Sequence, residues 1–226
     1  MRAIPWIAAL LIVSAVPPVT AARAQPQVNA SVYPLHLFRG ELYRGEKARS
    51  VTQAYYLKWR GRAVSALPTS YSDRKGAPIG LFVLQGYVHQ GNTRKRCFLH
   101  LDKTGRVITI GYKLPTILYA AFEAGPCIVR WQYNGRSGIY IAGAEERFTR
   151  GFLAAPEERR ALCIDTPPTR LAALEFFGPL WRIQPLMDQT KTDRCLNLDG
   201  GDQAGEHAEQ PAVLGIVWDP LSTSGF

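Results

Sequence analysis

The sequence predicts an all-β protein. Short runs rich in Val, Ile, Phe, Tyr and Trp recur at intervals of roughly 8–15 residues, bounded by Gly, Pro, Asn and Asp. Stretches with helical periodicity are few and short. Of 226 residues, 46% are hydrophobic and 20% charged, a globular composition that excludes a disordered or collagen-like chain.

The strands are expected in order. Gly80–Gln85 and Cys97–Leu101 come first. Val107–Ile110 follows the turn Lys103-Thr104-Gly105. Cys127–Trp131, Gly138–Ala142, Leu162–Ile164, Trp181–Ile183, Cys195–Leu198 and Val213–Val217 complete the set. Each is short, rich in β-branched or aromatic residues, and closed by turn-forming residues. Ala142–Arg150, Pro156–Ala161 and Thr169–Phe177 carry the helical character. Ser50–Trp59 reads as a short helix or a strand, and Pro68–Pro78 as a loop or linker.

The N-terminus has the layout of a secretory signal. Arg2 supplies the positive start, Ile4–Val16 the apolar run, and Ala22-Arg23-Ala24 the small-residue cleavage site before Gln25. The run is 13 residues, shorter than the roughly 20 a membrane span needs. No later stretch is apolar enough to span a bilayer. The expected mature chain runs from Gln25 to Phe226 and is secreted or periplasmic.

The formal charge of the whole chain is +9. The expected mature chain keeps 25 basic and all 18 acidic residues, a net +7. Residues 25–78 hold nine basic and three acidic residues, so +6 of that charge lies in the first quarter. Aromatic and basic residues interleave there, including Tyr43, Arg44, Tyr55, Trp59 and Arg60. This segment is expected to be a basic, aromatic N-terminal arm that docks a partner, while residues 79–226 form a near-neutral β domain. Export argues against nucleic acid as the partner of the basic patch.

Four cysteines, Cys97, Cys127, Cys163 and Cys195, in an exported chain imply two disulfides. Three connectivities are possible. Sequential pairing, Cys97–Cys127 and Cys163–Cys195, closes two similar loops with separations of 30 and 32 residues and is the expected one. No Cys-x-x-Cys occurs and no Cys/His spacing suits zinc, so no metal and no cofactor are expected.

A repeating unit runs through residues 79–226: an aromatic strand, a polar turn, then a Cys- or Gly-led apolar strand. It occurs as Phe82 with Cys97–Leu101, Trp131 with Gly138–Ile141, and Trp181 with Cys195–Leu198. Three units of about 40–50 residues predict threefold pseudo-symmetry, a β-trefoil-like barrel.

The third unit is the most specific. Trp181-Arg182-Ile183, Asp193–Gly201, and Gly205 to Gln210 resemble one repeat of a ricin-type lectin domain. Lys95–Leu101 resembles the same Cys strand and is also similar to the ricin-like subunits of cytolethal distending toxins. The resemblance implies a trefoil, no catalysis, and recognition of a glycan or glycosylated surface, as the delivery subunit of a toxin-like assembly with further protein subunits. Where the family carries a sugar-binding Asp two residues after the Cys, this chain has Asn197. Pro211 and Ala212 follow Gln210, so the Gln-x-Trp motif lacks its Trp. The candidate ligand-binding residues are Asn197, Asp199, Asp202, Gln210 and Trp218.

Two other readings stand beside this one. One is a structural or interaction protein of the bacterial envelope, docking through residues 25–78. The other is a secreted hydrolase or ADP-ribosyltransferase, the latter because Leu42-Tyr43-Arg44 resembles the apolar-Tyr-Arg strand of ADP-ribosylating toxins. No Gly-x-Ser-x-Gly occurs and no motif selects a pair of acids, so no catalytic residue is assigned. Glu145-Glu146 and Glu157-Glu158 read as solvated faces.

Overall fold

A computed structural model describes residues 28–35, 38–44, 63–69, 71, 78–91, 96–113, 115–198 and 212–218. The architecture is all-β, in three antiparallel sheets. The strands are β1 (Asn29–Pro34), β2 (Phe38–Arg44), β3 (Ala63–Pro68), β4 (Phe82–Leu84), β5 (Tyr87–Gln90), β6 (Phe98–Leu101) and β7 (Val107–Gly111). Then come β8 (Ala120–Glu123), β9 (Cys127–Tyr133), β10 (Arg136–Ile141), β11 (Glu157–Ile164), β12 (Arg170–Gly178), β13 (Arg194–Asn197) and β14 (Ala212–Trp218). Two short α-helices, α1 (Arg150–Ala154) and α2 (Ile183–Thr190), complete the described elements with a 3₁₀ turn at Leu180–Arg182.

The six-stranded sheet has the order β1-β12-β11-β13-β9-β10 and the five-stranded sheet β5-β4-β8-β6-β7. The third sheet is β2-β14-β3. One core layer joins the two large sheets. Phe82, Leu99, Leu101, Ile110 and Phe122 meet Leu162, Ile164, Leu171 and Leu196, with Leu42 and Leu67 added from β2 and β3. A second layer lies behind the six-stranded sheet, where Ala161, Cys163, Ala172, Leu174 and Phe176 pack on Ile183, Leu186 and Met187 of α2.

Three expectations of secondary structure fail around this sheet. Pro156–Ala161 and Thr169–Phe177 read as helical, yet they lie in and around β11 and β12. Leu, Ala, Glu and Arg favour helix locally. β12, buried on both faces, shows no polar–apolar alternation to betray it, and the start of β11 is a charged run whose only buried member before Ala161 is Arg159. Trp181–Ile183, expected as a strand, is instead the 3₁₀ turn leading into α2. Gly178 at φ +126° and Pro179 end β12. Pro185 falls in the first turn of α2, where its missing N–H costs little.

The sequential disulfides are both formed, Cys97–Cys127 and Cys163–Cys195. Cys163 and Cys195 face each other directly across β11 and β13. Cys97 precedes β6 and Cys127 opens β9, so the first bridge ties the five-stranded sheet to the six-stranded one.

The trefoil expectation finds no support in this topology, because among the described strands no sheet closes on itself. The Cys97 unit lies in one sheet, and the Gly138 and Cys195 units lie in another. The described parts of segment 25–78 are woven into the fold rather than extended from it. β1 pairs with β12 from Asn29↔Glu175 to Pro34↔Arg170. β2 and β3 flank β14. Among the described residues no helix is long and apolar enough to cross a membrane. The expected signal segment lies outside the described residues.

The β11–β12 hairpin shows how a turn is held. The Asp165 carboxylate accepts from Thr169 N at 2.7 Å, Arg170 N at 2.9 Å and the Thr169 hydroxyl, and pairs with Arg170 Nε at 3.2 Å. Partial burial alone would raise its pKa, but the bonds from Thr169 and Arg170 outweigh it and hold it below the usual aspartate value. A carboxyl depressed in the folded state stabilises above its unfolded pKa, about 3.9, and loses that contribution as pH falls through the folded value. Asp165→Ala is expected to cost about 2 kcal/mol at pH 7. Urea unfolding should show that difference from wild type shrinking as the pH is lowered past 4.

Candidate functional site

The densest polar cluster lies where the two large sheets meet, around Glu146. This residue sits in the turn after β10, where Glu146 N donates to Ala142 O at 3.1 Å and Phe148 N to Gly143 O at 2.7 Å. Its carboxylate is buried. Oε1 accepts from Cys127 N at 2.8 Å and from the Tyr112 hydroxyl at 2.5 Å, and Oε2 accepts from Cys97 N at 3.2 Å. Burial pushes its pKa up, against the bonds from Tyr112, Cys127 and Cys97 and the charge of Arg96. Burial and the bond to Glu146 likewise push the Tyr112 phenol up. Gly125 is required beside it. At φ +129° a Cβ would lie 2.3 Å from Glu146 Oε2.

An aromatic ladder continues from this carboxylate. The Arg96 guanidinium lies 4.5 Å from the Phe148 ring and 5.9 Å from Tyr71. Phe148 stacks on Phe152 at 4.9 Å, and the Arg159 guanidinium lies 4.6 Å from the Phe152 ring. Arg159 is buried, pairs with Glu157 at 2.8 Å and donates to Phe152 O. Burial lowers its pKa, with Glu157 opposing. Thr149 caps α1 by accepting from Phe152 N at 3.1 Å, which fixes Phe152 in the ladder.

Asn197 ends β13 on the same side. It is buried, and its Nδ2 donates to the Tyr71 hydroxyl at 2.7 Å, Leu198 O at 3.1 Å and Gly125 O at 3.2 Å. The Tyr71 hydroxyl in turn donates to Gly125 O at 2.6 Å. The residue expected to line an open sugar pocket is therefore a buried brace, its amide enclosed by Tyr71, Gly125 and Leu198. Its Oδ1 has no partner among the described residues. Asp199, Asp202 and Gln210 lie outside the described residues. Trp218 closes β14, with its backbone opposite Phe38.

The residues expected to dock a partner divide in the same way. Tyr43 and Arg44 are placed by backbone in β2, opposite Val213 and Ala212. Tyr55, Trp59 and Arg60 lie outside the described residues. Glu146, read as part of a solvated face, is fully buried, whereas its neighbour Glu145 is exposed and accepts from the Tyr140 hydroxyl. Both oxygens of Glu146 are taken by donors of the protein, so it positions strands rather than acting as a free acid. Cys97, Cys127 and Glu146 bring three potential ligand atoms within 4.8 Å of one another. The two Sγ atoms are joined to each other, so this trio does not offer a metal site.

Sequence reasoning did not single out Tyr112, Tyr133 and Tyr140 as site candidates, and took Trp131 only as a repeat marker. These rings form an exposed aromatic surface next to Glu145 and Glu146. The legible signal was the alternation Trp131-x-Tyr133 before an Asn134-Gly135 turn, with Tyr140 on the returning strand.

No protein-family model matches the chain, and no curated protein matches it. Two solved structures are similar. A hypothetical protein from Synechocystis superposes with a TM-score of 0.65 at 12% identity over 85% of this chain, and the chain spans 59% of that protein's length. The catalytic domain of zebrafish N-acetylglucosamine-1-phosphodiester alpha-N-acetylglucosaminidase, auto-inhibited by its pro-peptide, superposes with a TM-score of 0.58 at 13% identity. That match covers 88% of this chain and 85% of the zebrafish one. At these identities the likeness is one of fold.

Proposed function

We propose that this chain is an exported saccharide-recognising domain that binds a glycan or glycosylated surface without catalysis. The observation that carries this reading is the fold shared with a domain acting on an N-acetylglucosamine conjugate, over 88% of the chain. The ricin-like stretch around Cys195 points to the same ligand class, and two disulfides suit an oxidising compartment. The reading without catalysis draws on Glu146, whose oxygens are both engaged by the fold. A trefoil arrangement and a role as a toxin-like delivery subunit remain extensions of the ricin-type resemblance alone. Asp199, Asp202 and Gln210 are the candidate polar contacts from that stretch.

The second reading is a secreted hydrolase, favoured by the same fold likeness to a glycosidase catalytic domain. One experiment separates the two. The chain from Gln25 onward is applied to a glycan array and, in parallel, incubated with an N-acetylglucosamine-1-phosphodiester. The binding reading expects retention on the array and no release of N-acetylglucosamine. Turnover would replace it with the hydrolase, and neither retention nor turnover would remove both.

A further inference from the structure

We infer that the exposed far end of the β9–β10 hairpin, on the face whose inner part meets the five-stranded sheet, is a stacking site for uncharged gluco-configured pyranosides, of which N-acetylglucosamine oligomers are the probe. This assigns a place to the saccharide reading above and rests on it. In an antiparallel pair, directly opposed residues share a face. The register opposes Val129 to Tyr140, Trp131 to Gly138 and Tyr133 to Arg136. Trp131, Tyr133 and Tyr140 therefore stand together on one face. Ile139 and Ile141 point the other way, into the layer under α2.

Trp131 is held flat. A Cβ on Gly138 would lie 2.7 Å from its Cζ2 and 2.8 Å from its Cε2, so the indole covers the Gly138 backbone. Its other side is open, and the residue is 46% exposed. Tyr140 and Tyr112 are 49% and 52% exposed, yet their hydroxyls donate to Glu145 and Glu146, which fixes both rings. Tyr133, beside the Asn134-Gly135 turn, is 72% exposed. Three rings, Trp131, Tyr140 and Tyr112, thus stand in anchored orientations, with Tyr133 exposed beside them at the hairpin turn. Single exposed rings such as Trp181 are ordinary, but several on one hairpin face and its neighbouring strand end mark a binding surface.

The chemistry of the shelf selects the occupant. Rings held rigid before binding lose little entropy when a flat ligand arrives. A pyranose with equatorial hydroxyls offers such a ligand, apolar C–H groups on its faces and hydroxyls around its rim. The aromatics meet the faces, and the Glu145 carboxylate beside them accepts from the rim. The exposed Glu145 carboxylate beside Tyr140 and Arg136 opposite Tyr133 put one charge of each sign on the shelf, so no net charge there selects an ionic ligand. Exposed Leu, Ile or Met side chains, which a protein or lipid partner would engage, do not stand beside these rings on the hairpin face.

The test is calorimetric titration of an N-acetylglucosamine tetramer into the chain from Gln25 onward, with variants matched for thermal unfolding. Trp131→Ala and Tyr140→Ala remove stacking rings. Trp131→Leu keeps an apolar cover over Gly138, so it reports on stacking even if Trp131→Ala does not fold. Trp181→Ala is the control, an exposed tryptophan on the 3₁₀ turn instead of the hairpin. The expected result is at least tenfold weaker binding for Trp131→Leu and unchanged binding for Trp181→Ala. Wild-type affinity in Trp131→Leu overturns the shelf and leaves the saccharide reading standing. Absence of binding by the wild type to the tetramer overturns the shelf, and only absence from the whole glycan array overturns the broader reading with it.

Discussion

Replacing Glu146 with Ala is expected to lower unfolding free energy by about 4 kcal/mol, read as a drop in urea midpoint at unchanged slope. The carboxylate satisfies the Cys97 and Cys127 amides and the Tyr112 hydroxyl at a position closed to solvent. Alanine leaves buried donors without acceptors, and each such donor costs about 1–3 kcal/mol. Glu146→Gln should be milder. Its amide oxygen can keep the two bonds made at Oε1, while its amino group faces the Cys97 N–H and loses the third. Equal stability of wild type and Glu146→Ala would mean that this carboxylate does not brace the seam.

Removing the Cys97–Cys127 bridge by paired Cys→Ala substitution is expected to cost about 3.5–4 kcal/mol in the chain-entropy account. The bridge closes a separation of 30 residues and joins the two large sheets. Glu146 grips the amides of the same two cysteines, so the bridge and the carboxylate hold one joint. Their effects should therefore fall short of additive when combined, by a measurable interaction energy on the order of 1 kcal/mol. Full additivity in a double-mutant cycle would show that they act at independent places.

The sequence carried the all-β class because most strands are short apolar runs between turn residues. Cys97–Leu101, Val107–Ile110 and Cys127–Trp131 fall within a residue of β6, β7 and the first part of β9. Leu162–Ile164 marks the end of β11, but its charged start and all of β12 escaped, because Ala172 and Leu174 are buried on one face while Leu171 and Ala173 are buried on the other. The repeat built on Cys97, Gly138 and Cys195 failed as a guide to topology. Local apolar-x-apolar patterns say that a strand exists, not which sheet it joins.

The site was less legible than the fold. Asn197 stands two residues after Cys195, where the lectin resemblance places a sugar ligand, but its burial depends on Tyr71 and Gly125, which reach it from distant parts of the chain. Glu146 looked like half of an acidic surface pair. Only the turn at 143–147 shows that one carboxylate points in and the other out. The aromatic shelf was visible as Trp131, Tyr133 and Tyr140 around an Asn-Gly turn, yet its flatness depends on Gly138 facing Trp131 across the hairpin.

The most direct measurement follows the Trp131 indole N–H resonance during titration with the N-acetylglucosamine tetramer. The account predicts a saturable shift at Trp131 while the Trp181 resonance stays in place. A saturable shift at Trp181 alone, or no shift at either indole at concentrations that saturate the glycan array, would contradict it.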